Sequence, residues 1–277
     1  MKTFIRWQGN KSKHLNKFMK YIPEFTGTYI EPFVGSGALF LELQPKKWII
    51  NDLNKDLIYI WKHVKYTPKE MIHAFKEFAK TFIPLSNSDK KKYCKLITSK
   101  INSMEFGIER ASIYLLMKYC SFMGDIIKNN KFYFGSLNMH IFMHNNYFFT
   151  KQPCYDNLLQ VSQFLQNTRG KIYNMSYEHI LDKAKKGDFV FLDPPYVEEH
   201  DYQFNYNPDE VLDTQFIQTL YKQVKQLDKK GVKWLMTQAN TKEIKHIFKE
   251  YTIKTMKVYR IGQKMYVQEL IIMNYKV

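Results

Sequence analysis

Cysteine is scarce. Cys94, Cys120 and Cys154 are three in 277 residues, an odd count with no close pair, so neither a disulfide framework nor a zinc ribbon is built from them and a reducing, intracellular compartment is expected. Glycine and proline number only 11 and 9, which excludes collagen-like and low-complexity sequence. Long apolar runs are missing too. Each ends within a few residues at a Lys, Asn or Glu, well short of the roughly 20 residues a membrane span needs. The first residues reach Arg6, Gln8 and Asn10 too soon to hold a secretory apolar core, and no membrane partner is expected. The eight histidines show no ligand spacing with Cys or Asp, His140 and His144 being the nearest set, so no metal is expected.

Acidic residues are also short, 26 against 42 Lys and Arg, and the formal net charge is +16. Such a surface suits a polyanion, although a lysine-rich composition alone produces the same sum. With 45% hydrophobic and 16% aromatic residues, the chain is no disordered basic tail. Its length allows one or two domains with a sizeable core.

Short apolar strands alternate with longer helical patterns, which predicts an α/β sheet. The strands are expected at Tyr29 to Glu31, Trp48 to Asn51, Lys171 to Tyr173, Phe189 to Leu192, Lys233 to Met236 and Glu269 to Ile272. Between the second and third lies a block from about Tyr66 to Asp156. Its first half is helical in period (Met71, Phe75, Phe78; then Ile113, Leu116, Met117, Cys120), with the lysine-rich stretch Lys90 to Lys95 between. Its second half, Phe122 to Phe149, is dense in aromatics, Asn and Lys without a clean period. So long a block is an inserted lobe rather than a crossover.

Three places carry chemistry. Glu31-Pro32-Phe33-Val34-Gly35-Ser36-Gly37-Ala38 follows a strand and opens a helical pattern. Its two glycines let backbone approach a ligand at the carboxyl end of the first strand. The third glycine of a dinucleotide fingerprint and the Gly-Lys-Ser/Thr of a phosphate cradle are both lacking, which favours a nucleoside over a pyrophosphate. Asp52 ends the second strand, where a carboxylate either accepts the hydroxyls of a ribose or caps the following helix. Asp193-Pro194-Pro195-Tyr196 follows Phe189 to Leu192 directly. The prolines stiffen the loop and leave carbonyls without neighbouring N–H groups, and Tyr196 offers a π face. An aromatic exocyclic amine, such as N6 of adenine, is a poor nucleophile because its lone pair is shared with the ring. A carboxylate and a carbonyl, each accepting one N–H, draw that nitrogen toward tetrahedral geometry and free the lone pair.

At these residues the chain resembles the Dam-type family of DNA adenine-N6 methyltransferases. Trp7-Gln8-Gly9-Asn10-Lys11 is similar to the family's N-terminal element beside the methionine end of the cofactor and the target base. Glu31 to Phe40 is similar to its cofactor turn, Asn51-Asp52 to its ribose-binding acid, and Ser176-Tyr177 to its segment beside the cofactor's adenine. Asp193 to Tyr196 matches its catalytic tetrapeptide, and Glu269 to Tyr275 its last strand. The resemblance implies a Rossmann-like S-adenosylmethionine-dependent methyltransferase sheet, residues 1–65 and 157–277, with an inserted, mainly helical target-recognition lobe over 66–156. It implies catalysis by Asp193, Pro194, Pro195 and Tyr196. It also implies cofactor binding by Trp7, Gly9, Asn10, Lys11, Glu31, Pro32, Phe33, Gly35, Gly37, Asp52, Ser176, Tyr177 and Asp193.

The implied reaction is direct in-line methylation of N6 of a flipped-out adenine in double-stranded DNA, with S-adenosylhomocysteine as product and the protein a monomer or a weak dimer. Phe204 and Tyr206 are candidates to wall the flipped base. The family's lobe usually ends in an Asn-x-Pro-Phe-Gly-like stretch after a Tyr-Asn-Gly loop. Here only Phe132-Tyr133-Phe134-Gly135 follows Ser121-Phe122-Met123-Gly124, so no target sequence is implied. The alternatives are RNA adenine-N6 methylation and a catalytically inactive DNA-binding relative. Glutamine methylation usually uses Asn in place of Asp193, and the Pro153-Cys154 pair lacks the partner motif of a cytosine-C5 enzyme.

Overall fold

The computed structural model describes residues 1–120, 127–128, 131–132, 153–196, 214–260 and 265–277. They divide into two compact units. One comprises residues 11–34, 45–53 and 170–277, the other residues 1–10, 35–44 and 54–169.

The first unit is built on a seven-stranded sheet. Its strands are β1 (Tyr29–Glu31), β2 (Lys47–Asn51), β5 (Arg169–Tyr173), β6 (Phe189–Leu192), β7 (Lys233–Ala239), β8 (Thr252–Arg260) and β9 (Met265–Met273), in the order β5-β2-β1-β6-β7-β9-β8. Strands β2, β1, β6 and β7 are parallel, and β9 runs antiparallel to both β7 and β8. Strand β1 sits between β2 and β6, so the strand order reverses there and the carboxyl ends of β1 and β6 form the crevice where open α/β sheets bind ligands. This is the Rossmann-like sheet expected from the sequence. All six expected strands form, and β8 is an addition.

Alternation decides the faces of the sheet. Ile30, Val190, Leu192, Trp234, Met236, Leu270 and Ile272 pack into one buried cluster under α8 (Tyr177–Leu181), α9 (Thr214–Lys229) and α10 (Lys242–Ile247). Helix α9 contributes Ile217, Leu220, Val224 and Leu227, a three-and-four spacing that makes a single apolar stripe. On the opposite face Phe18, in the short helix α1 (Leu15–Phe18), stacks on Phe191 with ring centroids 5.7 Å apart.

The second unit is mainly helical: α2 (Ala38–Leu43), α3 (Lys55–Tyr66), α4 (Pro68–Phe82), α5 (Asn87–Ser103), α6 (Ile108–Cys120) and α7 (Pro153–Asn167), with the short antiparallel pair β3 (Ile127–Lys128) and β4 (Lys131–Phe132). Met71 and Phe75 of α4, and Ile113, Leu116 and Met117 of α6, are buried as their period predicts, whereas Phe78 is half-buried and Ala79 and Phe82 complete the stripe. The lysine-rich stretch continues as helix, with Cys94, Ile97 and Ile101 on its buried side. A buried ion pair ties α6 to α3: Arg110 Nε lies 2.6 Å from Asp56 Oδ1, and its Nη1 also donates to the carbonyls of Ile101 and Met104 at the end of α5. The expected lobe, 66–156, falls inside this unit, which also takes in α3 and residues 157–169.

Candidate active site

Asp193 leaves the end of β6 at the carboxyl edge of the sheet. Lys11 Nζ lies 2.7 Å from one carboxylate oxygen and 2.9 Å from the other, and the Thr237 hydroxyl donates to the first at 2.5 Å. Burial pushes the Asp193 carboxyl above the usual carboxylate range, Lys11 and Thr237 pull it back, and the charge of Glu269 adds to the push. Pro194 is buried and Pro195 half-buried. The hydroxyl of Tyr196 donates to Glu269 Oε2 at 2.9 Å, while Arg260 holds the other oxygen of Glu269 at 3.6 Å. Burial, with Glu269 and Asp193 nearby, holds the Tyr196 hydroxyl well above its ordinary pKa, so it stays a neutral donor. Lys11 Nζ also lies 4.9 Å from the centre of the Tyr196 ring.

Thr237 and Glu269 are the parts of this corner whose role sequence reasoning missed. The signal for Glu269 was present: an acid heading the run Leu270-Ile271-Ile272 on a central strand, 6% exposed in the structure, must be paired. Replacing Glu269 by Ala is expected to lower kcat about tenfold, the scale of one lost hydrogen bond to a charged group. Glu269→Gln is expected to recover part of that, because its amide oxygen still accepts from Tyr196. Single-turnover methyl transfer measures both.

A second arrangement lies along the same edge. Asn51, 1% exposed at the end of β2, donates to the carbonyls of Pro32 and Met175, both at 2.9 Å, and accepts from Met175 N–H at 3.0 Å. Its own carbonyl accepts from Val34 N–H at 2.8 Å. One asparagine therefore fastens the turn after β1, the end of β2 and the segment entering α8, which brings Phe33, Asp52, Ser176 and Tyr177 to neighbouring loops. The rings of Phe33 and Tyr177 stand 5.2 Å apart. Asp52 is partly exposed, with its carbonyl held by Asn174 at 2.9 Å. It does not cap α3, because Asn54 is the N-cap and accepts from Leu57 N–H at 2.9 Å. Ser176 precedes α8 and donates to Glu178, and Glu31 accepts from Tyr29 at 2.7 Å.

In the helical unit, Gly35 and Gly37 have φ of 47° and 66°, and Gly9 has 70°, the left-handed region that favours glycine. A Cβ on Gly35 would meet the indole of Trp7 at 2.7 Å, so the room that glycine leaves is filled by Trp7. The Gly35 carbonyl accepts from Trp61 at 3.1 Å, and Lys118 Nζ lies 4.2 Å from the Trp7 ring. Asn10 reaches Thr3 at 3.4 Å. Phe204 and Tyr206, His140 and His144, and the side chain of Cys154 lie outside the described residues. The Cys94 thiol is buried and pushed up to about 12, unsuited to nucleophilic work. Among the described residues no cluster of three His, Cys, Asp or Glu could hold a metal, and no helix is long and apolar enough to cross a membrane.

The family described as D12 class N6 adenine-specific DNA methyltransferase matches residues 7–261. The chain belongs to this family. It is 27% identical over 286 residues to a type II methyltransferase of Lactococcus lactis subsp. cremoris, covering 99% of this chain and 96% of the relative. A type II methyltransferase of Methanocaldococcus jannaschii is likewise 27% identical over 302 residues, covering 99% of both. The DNA adenine methylase of Escherichia coli K12 is 26% identical over 195 residues, covering 70% of this chain and 65% of the relative. Membership makes the chain an enzyme that methylates adenine N6 in DNA, and the RNA, glutamine and cytosine-C5 alternatives fall away.

Proposed function

We propose that the Asp193 carboxylate and the Pro194 carbonyl accept the two N–H groups of an adenine extruded from duplex DNA, leaving its N6 lone pair free for direct in-line attack. The observation that carries this is the Asp193 carboxylate set at the end of β6 by Lys11 and Thr237, followed by two prolines. S-adenosylmethionine, when bound, supplies a methyl group on a good leaving group. No covalent protein intermediate is needed, and positioning supplies about 7–11 kcal/mol. Asp193 absorbs the positive charge developing on the nitrogen, and solvent takes the proton.

The chemistry of the second arrangement fits the nucleoside of that cofactor: Asp52 presents carboxylate oxygens for ribose hydroxyls, and Phe33 and Tyr177 present rings for a purine. Glu31, Pro32 and Ser176 shape the turns that carry them. The parts of Trp7, Gly9, Asn10, Gly35 and Gly37 are proposed from the family pattern. Flipping costs a few kcal/mol, of which stacking on Tyr196 returns about 1–3. The segment 66–156 is the proposed target-recognition lobe.

The test incubates a mixed-sequence duplex with S-adenosylmethionine labelled in its methyl group, then analyses nucleosides. Label in N6-methyladenine is expected. Label on cytosine, or transfer to RNA alone, overturns the proposal.

A further inference from the structure

The β8–β9 ribbon runs past the rest of the sheet. Strand β7 ends where Ala239 pairs with Glu269, yet the ribbon continues through the pairs Lys257 with Gln268, Val258 with Val267, Tyr259 with Tyr266 and Arg260 with Met265. Four pairs at about 3.4 Å each carry it about 14 Å farther. Since β9 is antiparallel to β7, this overhang extends beyond the carboxyl end of β7, the edge from which Asp193 also emerges.

The overhang has two faces. Arg260 and Glu269 lie on the one turned to Tyr196, with Arg260 Cζ 5.9 Å from the centre of its ring. The other bears Lys257, Gln268, Tyr259 and Tyr266. Tyr259 is 44% and Tyr266 61% exposed. Their rings meet edge-on with centroids 5.1 Å apart, and Lys257 Nζ lies 4.7 Å from the Tyr266 ring. No acidic residue stands on this face among the described residues of the overhang.

We propose that this tyrosine-lysine face is a second DNA-binding element, separate from the inserted lobe, gripping the duplex on the side of the ribbon turned away from Tyr196. The inference rests on the base-extrusion reading given above. Lysine ammonium and tyrosine hydroxyl groups are donors to phosphate oxygens, and a two-stranded ribbon is one of the shapes the major groove admits. The polyanion complements the charge of the face. A second copy of the chain does so poorly, because the exposed Lys254 and Lys257 on the edge strand β8 oppose strand-to-strand addition.

The test measures binding of the full chain to a fluorescein-labelled mixed-sequence duplex by anisotropy, across a salt series, with kcat at saturating duplex. The paired change Tyr259→Ser and Tyr266→Ser, which withdraws the hydroxyl donors from reach of the phosphates, is expected to weaken binding about tenfold. Lys257→Gln is expected to flatten the slope of log affinity against log salt by about 0.9. Both leave kcat and the circular-dichroism spectrum unchanged. Wild-type affinity and slope in these variants overturn the inference while the extrusion mechanism stands. A dimer lost on the same substitutions, with DNA affinity intact, assigns the face to self-association and equally overturns it. A wild-type enzyme that methylates only adenines already unpaired sinks the extrusion mechanism instead.

Discussion

Asp193→Asn is expected to lower the single-turnover rate of methyl transfer about 1000-fold while duplex affinity stays within a few-fold. The substitution keeps the shape of the side chain and one acceptor oxygen. It removes the negative charge that the developing ammonium needs, and it places an NH2 donor where Lys11 Nζ now sits 2.7 to 2.9 Å from both carboxylate oxygens. Removing one preorganised group aimed at transition-state charge costs about 100- to 1000-fold, and loss of the lone-pair-freeing hydrogen bond acts on the same step, so the upper end is expected. Rates are read from label transferred by excess enzyme, which separates chemistry from product release.

Lys11→Met is expected to cost about 100-fold at neutral pH, with a pH signature that a merely structural lysine lacks. Burial raises the Asp193 carboxyl and Lys11 is the largest opposing influence, so removing the ammonium raises it further. A carboxyl is protonated below its pKa, and only the ionised form accepts both the charge and the N–H. Wild-type activity therefore falls as pH drops through the Asp193 titration, and the variant loses activity at higher pH than the wild type does. Raising the pH restores the variant in part. A loss that is the same at every pH contradicts this role for Lys11.

The sheet was legible wherever a strand is buried on both sides. Phe189 to Leu192 is a continuous apolar run bounded by polar residues, and it forms β6 with the same limits. Strand β8 was not legible because its buried side chains are only Met256 and Val258, among the exposed Lys254, Thr255 and Lys257, so no apolar run marks it. The tetrapeptide and the ends of β1 and β2 were readable because each follows a strand end. What sets Asp193 was not, since Lys11 lies 182 residues away and no local pattern reports a pair so distant. Asn51 was hidden for another reason. Its bonds run to backbone atoms of Pro32, Val34 and Met175, and main-chain groups leave no trace in residue types. Asp52 was ambiguous between ribose acceptor and helix cap until Asn54 was seen to hold the cap.

The most direct test of the acidic corner places 2-aminopurine, which brightens on leaving the base stack, at a mapped target position, and follows extrusion in wild-type and Asp193→Asn enzyme beside methyl transfer to the matching adenine duplex. Extrusion of similar amplitude in both, with transfer nearly abolished in the variant alone, is the predicted result. Transfer at the wild-type rate without the Asp193 carboxylate contradicts the account.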